Sequence, residues 1–205
     1  MILVGSTTNT LVVHPKVPAK TTKELIALAK AKPGSLNYGS TGAGGTSHLA
    51  MEYFKLATGT NLVHIPYKGT APALTDLLGG QIDLMFISVV TGAEQVRAGK
   101  LRAYGVTSDK RQAMFTDLPA IGEVVPGFES TAWFGVFAPA GLPDAVTQKL
   151  HTTIVAALAE PRLREQLKTE GATAVGNTRK EFTAFVREDI ERWAPVVKAS
   201  GAKPN

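Results

Sequence analysis

Residues 38–48 read Tyr-Gly-Ser-Thr-Gly-Ala-Gly-Gly-Thr-Ser-His, a run with the chemistry of an anion cradle. Gly39, Gly42, Gly44 and Gly45 let successive backbone amides curve around a negative group, and Ser40, Thr41, Thr46 and Ser47 add hydroxyl donors. A helix starting at the end of this run contributes unpaired N–H groups and partial positive charge. Residues 39–46 fit the phosphate-loop pattern G-x-x-x-x-G-K-[ST], except that Gly45 stands where the lysine belongs. That lysine is what meets the outer phosphates of a nucleotide. A dinucleotide G-x-G-x-x-G is also missing, because Ser47 takes its last position. The expected ligand is therefore a less charged anion such as a carboxylate. The alternative is an ordinary strand-to-helix turn, which does not need so many glycines and hydroxyls.

A second run, Pro66-Tyr67-Lys68-Gly69-Thr70-Ala71-Pro72, also links a strand to a helix. Tyr67 offers a ring wall and a hydroxyl, and Lys68 a positive charge; a solvated lysine beside a packed tyrosine fits the same residues. Ser88, after the apolar run 82–87, is a weaker third contact. Catalytic arrangements are poor by comparison. His48 and Glu52 share a helix face, but two ligands do not complete a metal site, and His14, His64 and His151 lack partners at ligand spacing. With no cysteine, the chain has no thiol nucleophile, Cys-ligated zinc or iron–sulfur cluster. No G-x-S-x-G elbow occurs, so a serine hydrolase would need unmarked residues such as Ser47 and His64. Asp76 and Asp83 are separated by a helix end and a turn, which leaves paired-carboxylate chemistry unsupported.

These loops need a scaffold of alternating strands and helices. An apolar, β-branched strand with a polar centre at Ser6 to Thr10 spans 1–13 and ends before Pro15 and Pro18. Thr21 and Glu24 form a capping box for a helix over 21–32, which Pro33-Gly34 ends. Strands are then expected at 36–39, 62–66, 82–87 and 101–106, and helices at 47–57, 71–78 and 90–98. Helices of about ten residues between strands argue for parallel pairing and an α/β class, with both loops at the carboxyl edge where ligands lie. The pattern weakens over 107–130. A strand follows at 133–139, then helices at 144–159 and 161–170. A last helix begins at the Thr178 and Glu181 box and carries Phe182, Phe185, Val186, Ile190, Trp193 and Val197 at helical spacing.

The 205 residues carry 22 Lys+Arg against 17 Asp+Glu, and the bases are interspersed with acids rather than clustered, so a nucleic-acid partner is not expected. An ordinary apolar content of 44% excludes a disordered chain. No stretch reaches the roughly 18 apolar residues of a membrane span, and the start does not read as a secretion signal.

At Leu36-Asn37-Tyr38-Gly39-Ser40, His64-Ile65-Pro66-Tyr67-Lys68-Gly69 and Ala71-Pro72-Ala73-Leu74-Thr75-Asp76-Leu77-Leu78-Gly79-Gly80-Gln81-Ile82-Asp83, the chain resembles the solute-binding proteins of tripartite tricarboxylate transporters, the TctC or Bug family. Trp133-Phe134-Gly135 and Ala138-Pro139-Ala140-Gly141 extend the resemblance. It implies a type II periplasmic-binding-protein architecture: a ligand-binding lobe over 12–106, a crossing segment over 107–133, and the C-terminal part of the other lobe over 134–205. It also implies a non-catalytic, periplasmic receptor that takes a small mono- or dicarboxylate, uses no cofactor or metal, and delivers its ligand to membrane transporter subunits. The residues expected to hold the ligand are Gly39, Ser40, Thr41, Gly42, Thr46, Ser47, His48, Tyr67, Lys68, Gly69 and Ser88. Nothing matches the leader and first half-lobe that the resemblance implies, so the apolar stripe of the last helix is expected to be uncovered and to favour self-association. A truncated receptor with an interaction or sensing role, and a degenerate phosphate-loop or esterase-like enzyme, are the alternatives.

Overall fold

Helix-forming and strand-forming stretches alternate from the first residues onward, in a computed structural model that describes residues 1–112, 115 and 117–202. Three residues of the expected crossing segment (113, 114 and 116), and 203–205 of the expected C-terminal part, lie outside the described residues. The chain divides into two units: 1–7 with 131–193, and 8–130 with 194–205.

The larger unit holds a sheet in the order β3-β2-β4-β1-β5, built from β3 (Val63–Pro66), β2 (Asn37–Ser40), β4 (Leu84–Ser88), the later part of β1 (Ile2–Val13) and β5 (Arg102–Val106). β2 runs parallel to β3 and β4, as the intervening helices α2 (Thr46–Thr58) and α3 (Thr70–Leu78) require. β1 is the exception to the parallel pairing expected from the pattern, being antiparallel to both β4 and β5. It reaches the sheet directly, without a preceding crossover helix, so nothing constrains it to run with the others.

Alternation along the strands divides the core into two faces. Leu11, Val13, Tyr38, Leu84 and Phe86 meet Leu25 and Ala29 of α1 (Thr22–Ala31) and Ala50, Met51 and Phe54 of α2 on one side. Val12, Met85 and Ile87 meet Ala73 and Leu77 of α3 on the other. Covering on both faces explains why β4 reads as an unbroken apolar run. Ile121, Val125 and Phe128, from the segment 107–133, also enter the first cluster, where Phe128 stacks on Phe86 at 6.2 Å. Burial of each such side chain contributes about 1.5 to 3 kcal/mol.

α1 starts as its sequence predicts, with a shift in one bond. Thr21 Oγ1 accepts the Glu24 N–H at 3.1 Å, but the Glu24 carboxylate accepts from Lys20 N–H rather than from Thr21. α4 (Val89–Arg97) follows β4.

The smaller unit pairs β6 (Thr131–Val136) and β7 (Ala172–Ala174) with the start of β1. β7 runs antiparallel to β1 with Gly5 opposite Ala174; its three residues are too few to show a period and were not expected as a strand. α5 (Asp144–Ala159), α6 (Pro161–Thr169) and α7 (Arg179–Ser200) as far as Trp193 complete it. The reciprocal cap expected for α7 is present: Thr178 N–H donates to Glu181 Oε2 at 2.8 Å and Glu181 N–H to Thr178 Oγ1 at 3.2 Å. The α7 stripe is partly covered. Phe182 is 1% exposed among Trp133, Phe137 and Phe185, whereas Ile190 is 65% exposed and Phe134 of β6 59%. Among the described residues no helix is long and apolar enough to cross a membrane.

Candidate ligand-binding site

Parallel β2, β3 and β4 bring their carboxyl ends to one edge of the larger unit's sheet, and α2, α3 and α4 all begin there. None of these helices has a side-chain cap on its first amides, whereas α1 is capped by Thr21. Unpaired N–H groups from successive helices therefore gather at one edge, with their partial positive charge.

The loop after β2 is held from within. Thr41 N–H donates to Ser47 Oγ at 3.0 Å, Gly42 N–H to Ser40 Oγ at 3.3 Å and Gly44 N–H to His48 Nδ1 at 3.1 Å. Gly42 sits at φ +137°, which only glycine adopts without strain. These bonds divide the residues selected from sequence. Ser40, Ser47 and His48 are buried and engaged with the loop itself, Ser40 fully so. Thr46 is exposed, and the first amides of α2, behind Gly45, have no side-chain cap.

The loop after β3 is tied to the first, because Tyr67 N–H donates to the Ser40 carbonyl at 3.0 Å. Gly69 heads α3 at φ +113°. Tyr67 does not present a free hydroxyl: it donates to Asp76 Oδ2 at 2.7 Å, and burial together with that carboxylate pushes its pKa up to about 12. Lys68 is exposed and has no ionic or hydrogen-bonded partner among the described residues. Ser88 is exposed at the end of β4, directly opposite Asn9 of β1.

Asn9 was not selected from sequence. The antiparallel course of β1 carries it to this edge, where its backbone is fixed by Asn9 N–H to Thr107 Oγ1 (3.0 Å) and Thr107 N–H to Asn9 O (2.9 Å). The polar centre of an otherwise apolar strand was the available signal.

Behind the first loop, Tyr38, His64 and His48 form a stack of rings. Centroids are 4.8 Å apart for Tyr38 and His64, and 4.0 Å for His64 and His48. The Tyr38 hydroxyl donates to Glu52, which also pairs with Lys55 at 2.7 Å. Burial, reinforced by His48, pushes the His64 pKa down to about 4, and burial likewise lowers that of His48 against the pull of Glu52. Both rings are therefore neutral near pH 7. Among the described residues no cluster of three His, Cys, Asp or Glu side chains is placed to hold a metal ion.

The family model for the tripartite tricarboxylate transporter family receptor matches residues 1–202. Protein BugT of Bordetella pertussis is 36% identical over 202 residues, covering 98% of this chain and 62% of BugT. Another curated relative, from the tcbD-tcbE intergenic region of a Pseudomonas strain, is 33% identical over 96% of this chain and 59% of its own length. The chain thus spans about three-fifths of the length of these relatives. Among solved structures, R. palustris Rpa4515 with adipate is 35% identical with a TM-score of 0.83, covering 100% of this chain and 69% of that one. MatC from Rhodopseudomonas palustris, with bound malate, is 28% identical with a TM-score of 0.78, covering 96% and 68%.

Proposed function

The chain belongs to the tripartite tricarboxylate transporter receptor family, and from that premise we propose that it binds a small mono- or dicarboxylate at the edge where α2, α3 and α4 begin. The observation that carries this reading is the set of three uncapped helix starts at one sheet edge, behind the glycine-rich loop 39–45, Gly69 and Ser88. One carboxylate of the ligand accepts from the amides of Thr46, Ser47 and His48 and from the Thr46 hydroxyl. Gly69 lets the second loop approach closely, Lys68 supplies a screened positive charge, and Ser88 and Asn9 hydrogen-bond the far side of the ligand. Ser40, Thr41, Gly39 and Gly42 act through the shape of the loop. Adipate and malate in two structural relatives support a carboxylate as the ligand.

An extracytoplasmic receptor that hands its ligand to membrane transporter subunits is the role that fits. The periplasmic binding protein BugD, 36% identical with a TM-score of 0.80, supports the compartment. The esterase-like alternative meets a geometric objection. Ser40 Oγ and His64 Nε2 are 2.6 Å apart, within reach for a nucleophile and its base, but Ser40 is 0% exposed and no substrate carbonyl reaches it.

Calorimetric titration with adipate, malate and magnesium–ATP tests the proposal. Saturable heat with a carboxylate and none with the nucleotide is expected. Nucleotide binding with no response to either carboxylate would overturn it.

A further inference from the structure

We infer that the stacked pair His48 and His64 is a pH-sensitive brace of the ligand loop, holding its shape while both rings are neutral and releasing it when His48 takes up a proton. The inference rests on the ligand-site reading above and adds a regulation to it.

The argument starts from the tautomer. His48 Nδ1 accepts the Gly44 N–H at 3.1 Å, so the neutral ring keeps its own proton on Nε2, the nitrogen 3.9 Å from Glu52 Oε1. The next proton can be added only at Nδ1, where it would confront the Gly44 N–H, two donors with no acceptor between them. Gly44 must then move, and it lies two residues before the helix start that offers its amides to the ligand.

His64 couples into the same loop. Its Nε2 lies 2.6 Å from Ser40 Oγ, and that oxygen accepts the Gly42 N–H at 3.3 Å. The charged and titratable groups facing the pair are Glu52 and Lys55 of α2 and Tyr38 of β2. Glu52 favours a cation, but it is already shared by the Tyr38 hydroxyl and the Lys55 ammonium. With His48 4% exposed, burial opposes a charge on its ring against the pull of Glu52, and Lys55 adds to that opposition.

Titration calorimetry with adipate at pH 7.5 and 4.5, on the wild type and on His48→Asn, is the test. The asparagine Oδ1 stands where Nδ1 accepts from Gly44, and the side chain does not titrate. The wild-type loss of affinity over this interval should exceed that of the variant by at least about twofold, growing toward tenfold per pH unit once His48 is protonated, because apparent affinity scales with the competent fraction. Dividing by the variant removes the titration of adipate itself. Parallel losses in the two proteins would overturn the brace. So would a wild-type affinity that rises with acid, which would mean that the charge reaches the ligand. His48→Gln, which does not titrate either, serves as a second variant if His48→Asn does not fold.

A ligand-free readout separates this inference from the ligand reading. The Gly44 amide resonance should titrate together with the His48 ring in wild type; a constant Gly44 signal beside a titrating His48 would overturn the brace. A titrating Gly44 with no adipate binding at pH 7.5 would count against the ligand reading and leave the brace standing.

Discussion

The Tyr67 hydroxyl donates to the Asp76 carboxylate at 2.7 Å, so the residue that opens the second loop is anchored to the helix which that loop begins. Lys68 and Gly69 lie between these two anchors, and their position depends on this bond. Tyr67→Phe removes it while keeping the ring. We expect about 1 kcal/mol of lost stability and a several-fold weaker carboxylate affinity. Thermal unfolding and titration calorimetry on the same samples check both; unchanged affinity would mean the second loop does not contact the ligand.

Thr46 and Ser47 are adjacent but face different partners, and their alanine variants should separate. Thr46→Ala loses a hydrogen bond to a charged acceptor, typically about 1.5 to 3 kcal/mol, at the level of ligand affinity, with little change in melting temperature. Ser47→Ala removes the acceptor of the Thr41 N–H and should lower stability as well. Normal adipate binding by Thr46→Ala would place the ligand elsewhere.

Gly42→Ala tests backbone conformation alone. An added Cβ would meet only the Tyr67 carbonyl, at 3.7 Å, so there is room, but φ +137° is strained for any L side chain. A cost of about 1 to 3 kcal/mol is expected, taken partly as lost affinity when the loop relaxes. Chemical denaturation and adipate titration read the two parts.

Acid should destabilise the larger unit through His64. Its folded pKa of about 4 lies below the ordinary value of 6.5, so between these pH values the unfolded chain binds the proton that the folded one refuses. Stability is therefore complete above about pH 6.5 and is lost as pH falls toward 4, by about 1 to 2 kcal/mol after allowing for a ring that is partly open to solvent. Denaturation midpoints from pH 7.5 to 4.5 should fall less for His64→Gln than for wild type. Equal slopes would remove His64 from the account.

Phe134 and Ile190 leave apolar surface in the smaller unit, at 59% and 65% exposure. Self-association is expected, and light scattering across a concentration series checks it. A strict monomer at high concentration would show that this surface does not drive association.

How much of this was legible in the residues differs from element to element. The α/β alternation, the strand-to-helix loops at residues 39–46 and 67–70 and the Thr21 and Thr178 caps are local properties. They depend on spacing, glycine and turn chemistry within a few positions, and these are readable in one dimension. The two-sided burial of β4 was equally plain from its continuous apolar run.

Other features needed the folded chain. Nothing local in β1 specifies that it lies antiparallel between β4 and β5, because strand direction is chosen by partners about 70 to 95 residues away. That choice brings Asn9 opposite Ser88 and so decides a member of the site. Tertiary packing likewise decided which hydroxyls serve the ligand and which serve the loop. Ser40, Thr46 and Ser47 offer the same group in sequence, but Ser40 and Ser47 meet the loop's own amides once Gly42 turns the backbone, and Thr46 does not. His64 had no partner at ligand spacing along the chain; β3 pairing with β2 sets its ring between Tyr38 and His48. Local geometry and hydrophobic periodicity are encoded within a turn or two of the chain. Pairing register and the filling of polar valences are settled only when distant segments compete for the same partners.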